Sequence, residues 1–182
     1  MELYKRKLLL KILRFFFKEL IYLNTNDILS VGKYKFFFQY LKSKIYGRRG
    51  IYALLPTDSK IVDFHKLVIK GDLLNSNLVK SFLSSRLYIQ AINGIVIDSS
   101  VLIGPDVKII SANHNSKNFN KWDESNPIVI NKNVWIGANS VILPGVNLGL
   151  NCIVGAGSIV TKSFGDNSLI AGNPAKLIRK NT

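Results

Sequence analysis

Nine aliphatic positions fall on a count of six. Ile97, Ile103 and Ile109 are six apart, the count lapses for 21 residues, and it resumes at Ile130, Ile136, Ile142, Leu148, Val154 and Val160. The residue that follows is often glycine or another turn-tolerant type: Asp98, Gly104, Asn131, Gly137, Gly149 and Gly155. The fourth residue on is small or β-branched: Val101, Val107, Val134, Ser140, Val146, Cys152 and Ser158. A heptad or a 3.6-residue helix cannot generate sixes, and an alternating hairpin strand would lack the recurring glycine. The pattern predicts a parallel β-helix in which each hexad makes one short strand and one turn. Three hexads close a roughly triangular coil, with aliphatic side chains stacked inward and glycine, asparagine or aspartate permitting positive φ at the turns. Such a core is quasi-one-dimensional, so no hexad is stable alone.

The lapse has a definite size. The 21 residues from Ile109 to Ile130 hold one hexad ending at His114, one running from Glu124 into "PIV", and nine left over. Residues 115–123, Asn115 to Asp123, are therefore expected to leave the coil as a loop directly after the histidine. A polar excursion from a regular repeat is where function concentrates. Ahead of the repeat, Ile61, Leu67, Leu73 and Val79 keep a compatible spacing with poor glycine placement, and residues 51–93 read as degenerate first coils. The regular helix is expected over 94–170 and a tail over 171–182. Cys152, at an inward small position, reads as core filler rather than a nucleophile.

Charge alters the picture at the N-terminus. Of the formal net charge of +14, residues 1–50 supply +9, from 12 Lys+Arg against 3 Asp+Glu. The segment "YKRKLLLKILRFFFKELIYL" places Leu9, Ile12, Leu13, Phe16, Phe17 and Leu20 on one helical face. Lys11, Arg14 and Lys18 argue against a spanning helix, and no small-residue cleavage site marks a signal peptide. A second helical stretch, "KYKFFFQYLKSKIY", completes a basic helical region over 1–50. Packing on its own domain or a neighbouring subunit is the plain reading; peripheral contact with an anionic membrane face is the alternative. No nucleic-acid motif accompanies the basic residues, and their aromatic neighbours sit where a helix would bury them, so no nucleic-acid partner is expected. The lone cysteine excludes an internal disulfide framework and fits a reducing, cytoplasmic setting.

The elements "NVWIGANSVILPGV", "GAGSIVTK" and "AGNPAKLIRK" are long, ordered and correctly spaced. Over roughly residues 88–180 the chain resembles the hexapeptide-repeat acyltransferases, and is similar to the maltose and galactoside O-acetyltransferases and those of surface-polysaccharide pathways. The resemblance implies a mainly β chain folded as a left-handed parallel β-helix, an exception to the right-handed crossover rule. It also implies a homotrimer with active sites between adjacent subunits, acetyl-CoA as acyl donor, a carbohydrate acceptor and no metal. It makes His114, within "SANHN", the general base that takes the proton of an acceptor hydroxyl as it attacks the thioester. On the same grounds Lys162, Lys176 and Arg179 match positions for the cofactor's phosphates. Ala138, Ala156 and Thr161 match those along the pantetheine arm, and Trp135 borders that slot. Where some members carry serine after "VWIG", this chain has Ala138, leaving only a backbone N–H as oxyanion donor there. Asn93 is a candidate to orient the acceptor, with turn former as its plain alternative, and Trp122 is a candidate to stack on a sugar ring.

Other functions on this repeat fit less well. Acylation of an amino sugar needs the same base, and the residues do not separate it from O-acetylation. Serine acetylation would call for a long N-terminal helical domain and a second motif histidine. A β-helix carbonic anhydrase needs three histidines for zinc, and the chain has only His65 and His114. His65 has no motif around it and reads as structural or surface. A non-catalytic, ligand-binding β-helix would leave the coincidence of cofactor cations and loop histidine without a reason.

Overall fold

The computed structural model describes residues 59–73 and 76–181. The helical reading of residues 1–50, and the beginning of the 51–93 segment, lie outside the described residues. Short strands build three faces of a parallel β-helix. Face 1 comprises β1 (Lys60–Val62), β3 (Tyr88–Gln90), β6 (Lys108–Ile110), β11 (Val141–Ile142) and β14 (Ile159–Val160). Face 2 comprises β2 (Leu67–Lys70), β4 (Ile95–Asp98), β9 (Ile128–Ile130) and β12 (Asn147–Leu148), with Phe164 bridged to Leu148. Face 3 comprises β5 (Leu102–Ile103), β10 (Trp135–Ile136), β13 (Ile153–Val154) and β15 (Ser168–Gly172), and ends in the antiparallel β16 (Ala175–Lys180).

The register explains the sixes. Ile136 lies beside Val154, Ile142 beside Val160 and Leu148 beside Ile130, so each coil is three hexads and each aliphatic stacks on its equivalent one coil away. All nine counted aliphatics are at most 2% exposed. Burying each such side chain is worth roughly 1.5–3 kcal/mol, so the column of stacked aliphatics is the principal stabilising term. The small fourth positions are equally buried, and their polar members are satisfied. Ser140 and Ser158 both donate to the Gly155 carbonyl, at 3.0 and 2.6 Å, and the Cys152 thiol donates to that of Gly165 at 3.2 Å.

Two expectations need correction. Positive φ does not fall on the residue after the aliphatic but two places later, at Asp106, Asn133, Asn139, Gly145, Asn151 and Gly157. Gly104 and Gly137 are needed for a different reason: a Cβ there would stand 2.7 Å from the Ala138 amide nitrogen and 2.6 Å from that of Ala156. The repeat's glycine is thus a close-approach residue, and the asparagine or aspartate is the left-handed one.

The second correction concerns the first coil. Leu73 and Val79 were expected as inward strand residues; instead Val79 belongs to the helix α1 (Asn77–Ser84), capped by the Ser76 hydroxyl, which accepts from the Val79 N–H at 3.1 Å. Leu78, Val79, Phe82 and Leu83 are buried on the face that α1 turns to the core. The helix also satisfies the edge strand β5, whose Ile103 N–H donates to the Ser81 hydroxyl at 2.9 Å. α1 therefore stands where a first face 3 strand would be, and Ile89, outside the counted positions, supplies the aliphatic beside Ile109. Among the described residues no helix is long and apolar enough to cross a membrane.

Candidate active site

The excursion between β6 and β9 is an antiparallel hairpin, β7 (His114–Asn115) and β8 (Asn118–Trp122), rather than an irregular loop. It begins at His114 itself. The turn is held by the Asn115 side chain, whose Oδ1 accepts from the N–H groups of Lys117 at 2.9 Å and Asn118 at 3.1 Å. The sequence "NSKN" carried that signal, an asparagine able to cap its own turn. At the base, Asn115 Nδ2 donates to Asp123 Oδ1 at 2.8 Å, and the Asp123 N–H donates to the Asn113 carbonyl at 2.8 Å. Asn93, on the same vertex one coil earlier, donates through Nδ2 to the Asp123 carbonyl at 2.9 Å. Its side chain thus ties the preceding coil to the foot of the hairpin.

His114 is fixed on two sides. Its Nδ1 lies 2.6 Å from the Phe119 carbonyl oxygen, and its ring stacks on Trp122 with centroids 3.8 Å apart and planes inclined by 30°. A carbonyl only accepts, so Nδ1 carries the proton, and in the neutral ring the lone pair is on Nε2. Phe119 contributes through its backbone, which no residue-type motif could have announced. Trp122, expected to stack on a ligand, spends one indole face on His114.

The remaining candidates divide by face. Trp135 is half-exposed on β10, and Lys176 and Arg179 are exposed on β16, all on face 3. Ala138 and Ala156 occupy successive turns at the vertex between faces 3 and 1; the Ala138 carbonyl accepts from the Gly157 N–H at 2.8 Å. Thr161 and Lys162 follow β14 on the vertex that carries His114, with the Lys162 ammonium 5.8 Å from the Phe164 ring centroid. The structure thus brings His114, Trp122 and Asn93 together. It separates them from face 3, which lies across the apolar core from the vertex between faces 1 and 2. His65 is exposed in a short 3₁₀ turn beside Phe64, on the same vertex one coil before Asn93, where the neighbouring Lys66 Nζ donates to the Ile92 carbonyl at 2.8 Å.

Fold and repeat together define a left-handed parallel β-helix of hexapeptide repeats. Residues 127–162 match the family model described as the hexapeptide repeat of succinyl-transferase. The Escherichia coli galactoside O-acetyltransferase is 43% identical over 89 residues, covering 47% of this chain and 43% of that protein. The crystal structure of a maltose O-acetyltransferase from Clostridium difficile 630 superposes with a TM-score of 0.53 at 22% identity, covering 81% of this chain and 86% of the other. A variant of AntD, an N-acyltransferase from Bacillus cereus in complex with dTDP and coenzyme A, gives a TM-score of 0.51 at 17% identity over 70% of this chain and 80% of that one. The chain spans less than half the length of the curated relatives it matches. By its repeat and its relatives, the β-helix of this chain is similar to that of the hexapeptide-repeat acyltransferases.

Proposed function

We propose that the protein moves an acetyl group from acetyl-CoA to a hydroxyl of a carbohydrate of the surface-glycan type, with His114 as general base. The observation that carries this reading is the Nδ1 contact to the Phe119 carbonyl, which commits the basic lone pair to Nε2. The acceptor oxygen attacks the thioester carbonyl carbon while Nε2 takes its proton. The tetrahedral oxyanion collapses, the C–S bond breaks, and coenzyme A leaves as thiolate, to be protonated by the imidazolium. No acyl-enzyme is required. Trp122 and the Phe119 carbonyl hold the ring so that little reorganisation is needed at the moment of proton transfer.

The donor residues fit the extended molecule. Ala138 and Ala156 are small and lie on consecutive turns of one vertex, where a pantetheine arm can run close to backbone, and the Ala138 amide makes no hydrogen bond within the described residues. Trp135 borders this line, Lys176 and Arg179 on face 3 supply cations for the phosphate end, and Thr161 and Lys162, on the vertex that carries His114, would reach it from a neighbouring copy. Since His114 and the Ala138–Ala156 line stand on different vertices of one prism, a donor lying along that line meets the base of a neighbouring copy, which supports a homotrimer. The cytoplasm holds the acetyl-CoA such an enzyme needs, and the basic residues 1–50 support peripheral contact with the inner membrane face.

His114→Ala should keep the fold and acetyl-CoA binding but lower the transfer rate by about 10²-fold or more, the range for general-base catalysis. Thiol release from acetyl-CoA across a panel of sugars measures it, and an unchanged rate at saturating acceptor overturns the assignment. Base-labile product identifies an ester; a base-stable one identifies acylation of an amino sugar, which the same base serves.

A further inference from the structure

The vertex between faces 3 and 1 continues beyond Ala138 toward the start of the chain. The turns stack through backbone bonds: the Asn139 N–H donates to the Pro105 carbonyl at 2.9 Å, and the Asp106 N–H to the Arg86 carbonyl at 2.8 Å. At the far end of this line Lys60, Arg86, Leu87, Tyr88, Asp106 and Lys108 line a cavity of about 280 Å³. Successive coils are ~4.8 Å apart, so the cavity lies within about 5–10 Å of Ala138, on the side away from Ala156.

Its chemistry is distinct from that of the donor line. Lys60, Tyr88 and Lys108 are paired in register on adjacent strands of face 1, and their neighbours Ile61, Ile89 and Ile109 fill the inward side, so all three point outward. Tyr88 is thereby flanked by two lysines on strands two spacings apart. Asp106 is committed to Arg86, whose Nε donates to its Oδ1 at 2.6 Å. The Lys108 ammonium is drawn to the same vertex by the Asp106 carbonyl at 3.2 Å. With Asp106 matched to Arg86, Lys60 and Lys108 leave the described lining of the cavity a net charge of +2. A single carboxylate would balance half of it; a diphosphate diester, with two negative charges and a neighbouring ring or chain to lie against Tyr88, balances it fully.

We infer that this cavity binds the diphosphate of an activated acceptor, a sugar carried on either a nucleotide or a lipid diphosphate, and so presents that sugar beside the thioester end of the donor line. The inference rests on the acetyl-transfer reading for its placement next to Ala138, but not for the binding itself. Two sources share the chemistry. A nucleotide would set its base or ribose on Tyr88 and Leu87; a lipid carrier would leave its chain toward the membrane face.

The test measures binding without transfer. The full chain and the Lys60→Gln/Lys108→Gln double variant are titrated calorimetrically with inorganic pyrophosphate, UDP-glucose, farnesyl diphosphate in detergent, and acetyl-CoA. The wild type is expected to bind pyrophosphate and at least one of the two carriers. The double variant should weaken each at least tenfold while holding acetyl-CoA affinity within twofold and melting at the same temperature. Tighter UDP-glucose supports the nucleotide source, tighter farnesyl diphosphate the lipid source, and equal binding a diphosphate read alone. No diphosphate binding to the wild type, equal affinity in the variant, or complete displacement of UDP-glucose by coenzyme A overturns the proposal. None of these results changes with the role of His114, which the rate of the His114→Ala variant tests separately.

Discussion

Gly137→Ala separates close approach from backbone freedom as the reason for the repeat's glycine. A Cβ at Gly137 would meet the Ala156 nitrogen at 2.6 Å, the Val154 carbonyl oxygen at 2.8 Å and the Ala156 Cα at 2.9 Å. All three are backbone atoms of the next coil, so none can swing away. Restoring ordinary contact needs the coils to part by a further ~0.8 Å, which would stretch the 2.8 Å bond from the Gly137 N–H to the Val154 carbonyl past hydrogen-bonding range. An unpaired buried N–H costs about 1–3 kcal/mol, and overpacking adds ~1–3 kcal/mol. Alanine recovers about 0.4–1 kcal/mol by restricting the unfolded chain. The expected net loss is about 3 kcal/mol. Gly157 is the internal control: nothing lies within 4 Å of its added Cβ, but its φ is +70°. Gly157→Ala should therefore cost only the left-handed penalty, about 1–2 kcal/mol. Urea unfolding of both variants measures the pair. Equal losses, or a larger loss at Gly157, would refute the steric reading and return glycine to the role of turn former.

Other substitutions test separate parts of the same account. Asn151→Ala must hold φ 56° with a Cβ and gives up the amide ladder to Asn133 and Asn167, so it should lose about 2 kcal/mol by urea melt, against about 1 kcal/mol for Asn151→Gly. Ser81→Ala strands the Ile103 N–H at the buried edge of β5, and a loss of about 1–3 kcal/mol is expected by the same assay; a neutral result would mean the helix does not hold that edge. Trp122→Ala frees the His114 ring and should lower kcat about tenfold with the acetyl-CoA KM unchanged, while Trp122→Phe restores most of the rate through stacking alone. A Trp122→Ala variant that changed only the sugar KM would instead make Trp122 a sugar platform.

What the sequence could disclose depended on whether a signal repeats. The count of six recurs nine times, so the inward positions, the coil length and the site of the lapse were all legible from Ile97 to Val160. Features that occur once were not. Nothing in "NSNLVKSFLSS" broke the apolar spacing enough to show α1 in place of a strand, because Val79 is inward under either geometry. The glycine and asparagine positions were visible, but their roles were merged. Both are turn-tolerant residues, and only the coil above, an 18-residue step away in sequence, shows that one is crowded and the other left-handed.

The same distinction holds at the candidate site and explains why His114 stands where it does. Inside the repeat turns stack on equivalent turns of the next coil, as the stacked amides of Asn133, Asn151 and Asn167 show. A histidine placed there would have neighbours set by the stack and no room for a substrate. The hairpin leaves the stack between two turns of one vertex, and its foot is tied to the stack: Asn93 grips it from the coil below, and the Asp123 N–H closes it against Asn113. His114 is at that foot and Trp122 directly across from it, so the ring is oriented by the indole and the Phe119 carbonyl while it remains exposed. The composition of the loop showed that it was polar and therefore outside. That it is a hairpin closing on its own first residue follows from the pairing of His114 with Trp122, and this pairing turns an exposed histidine into an oriented one.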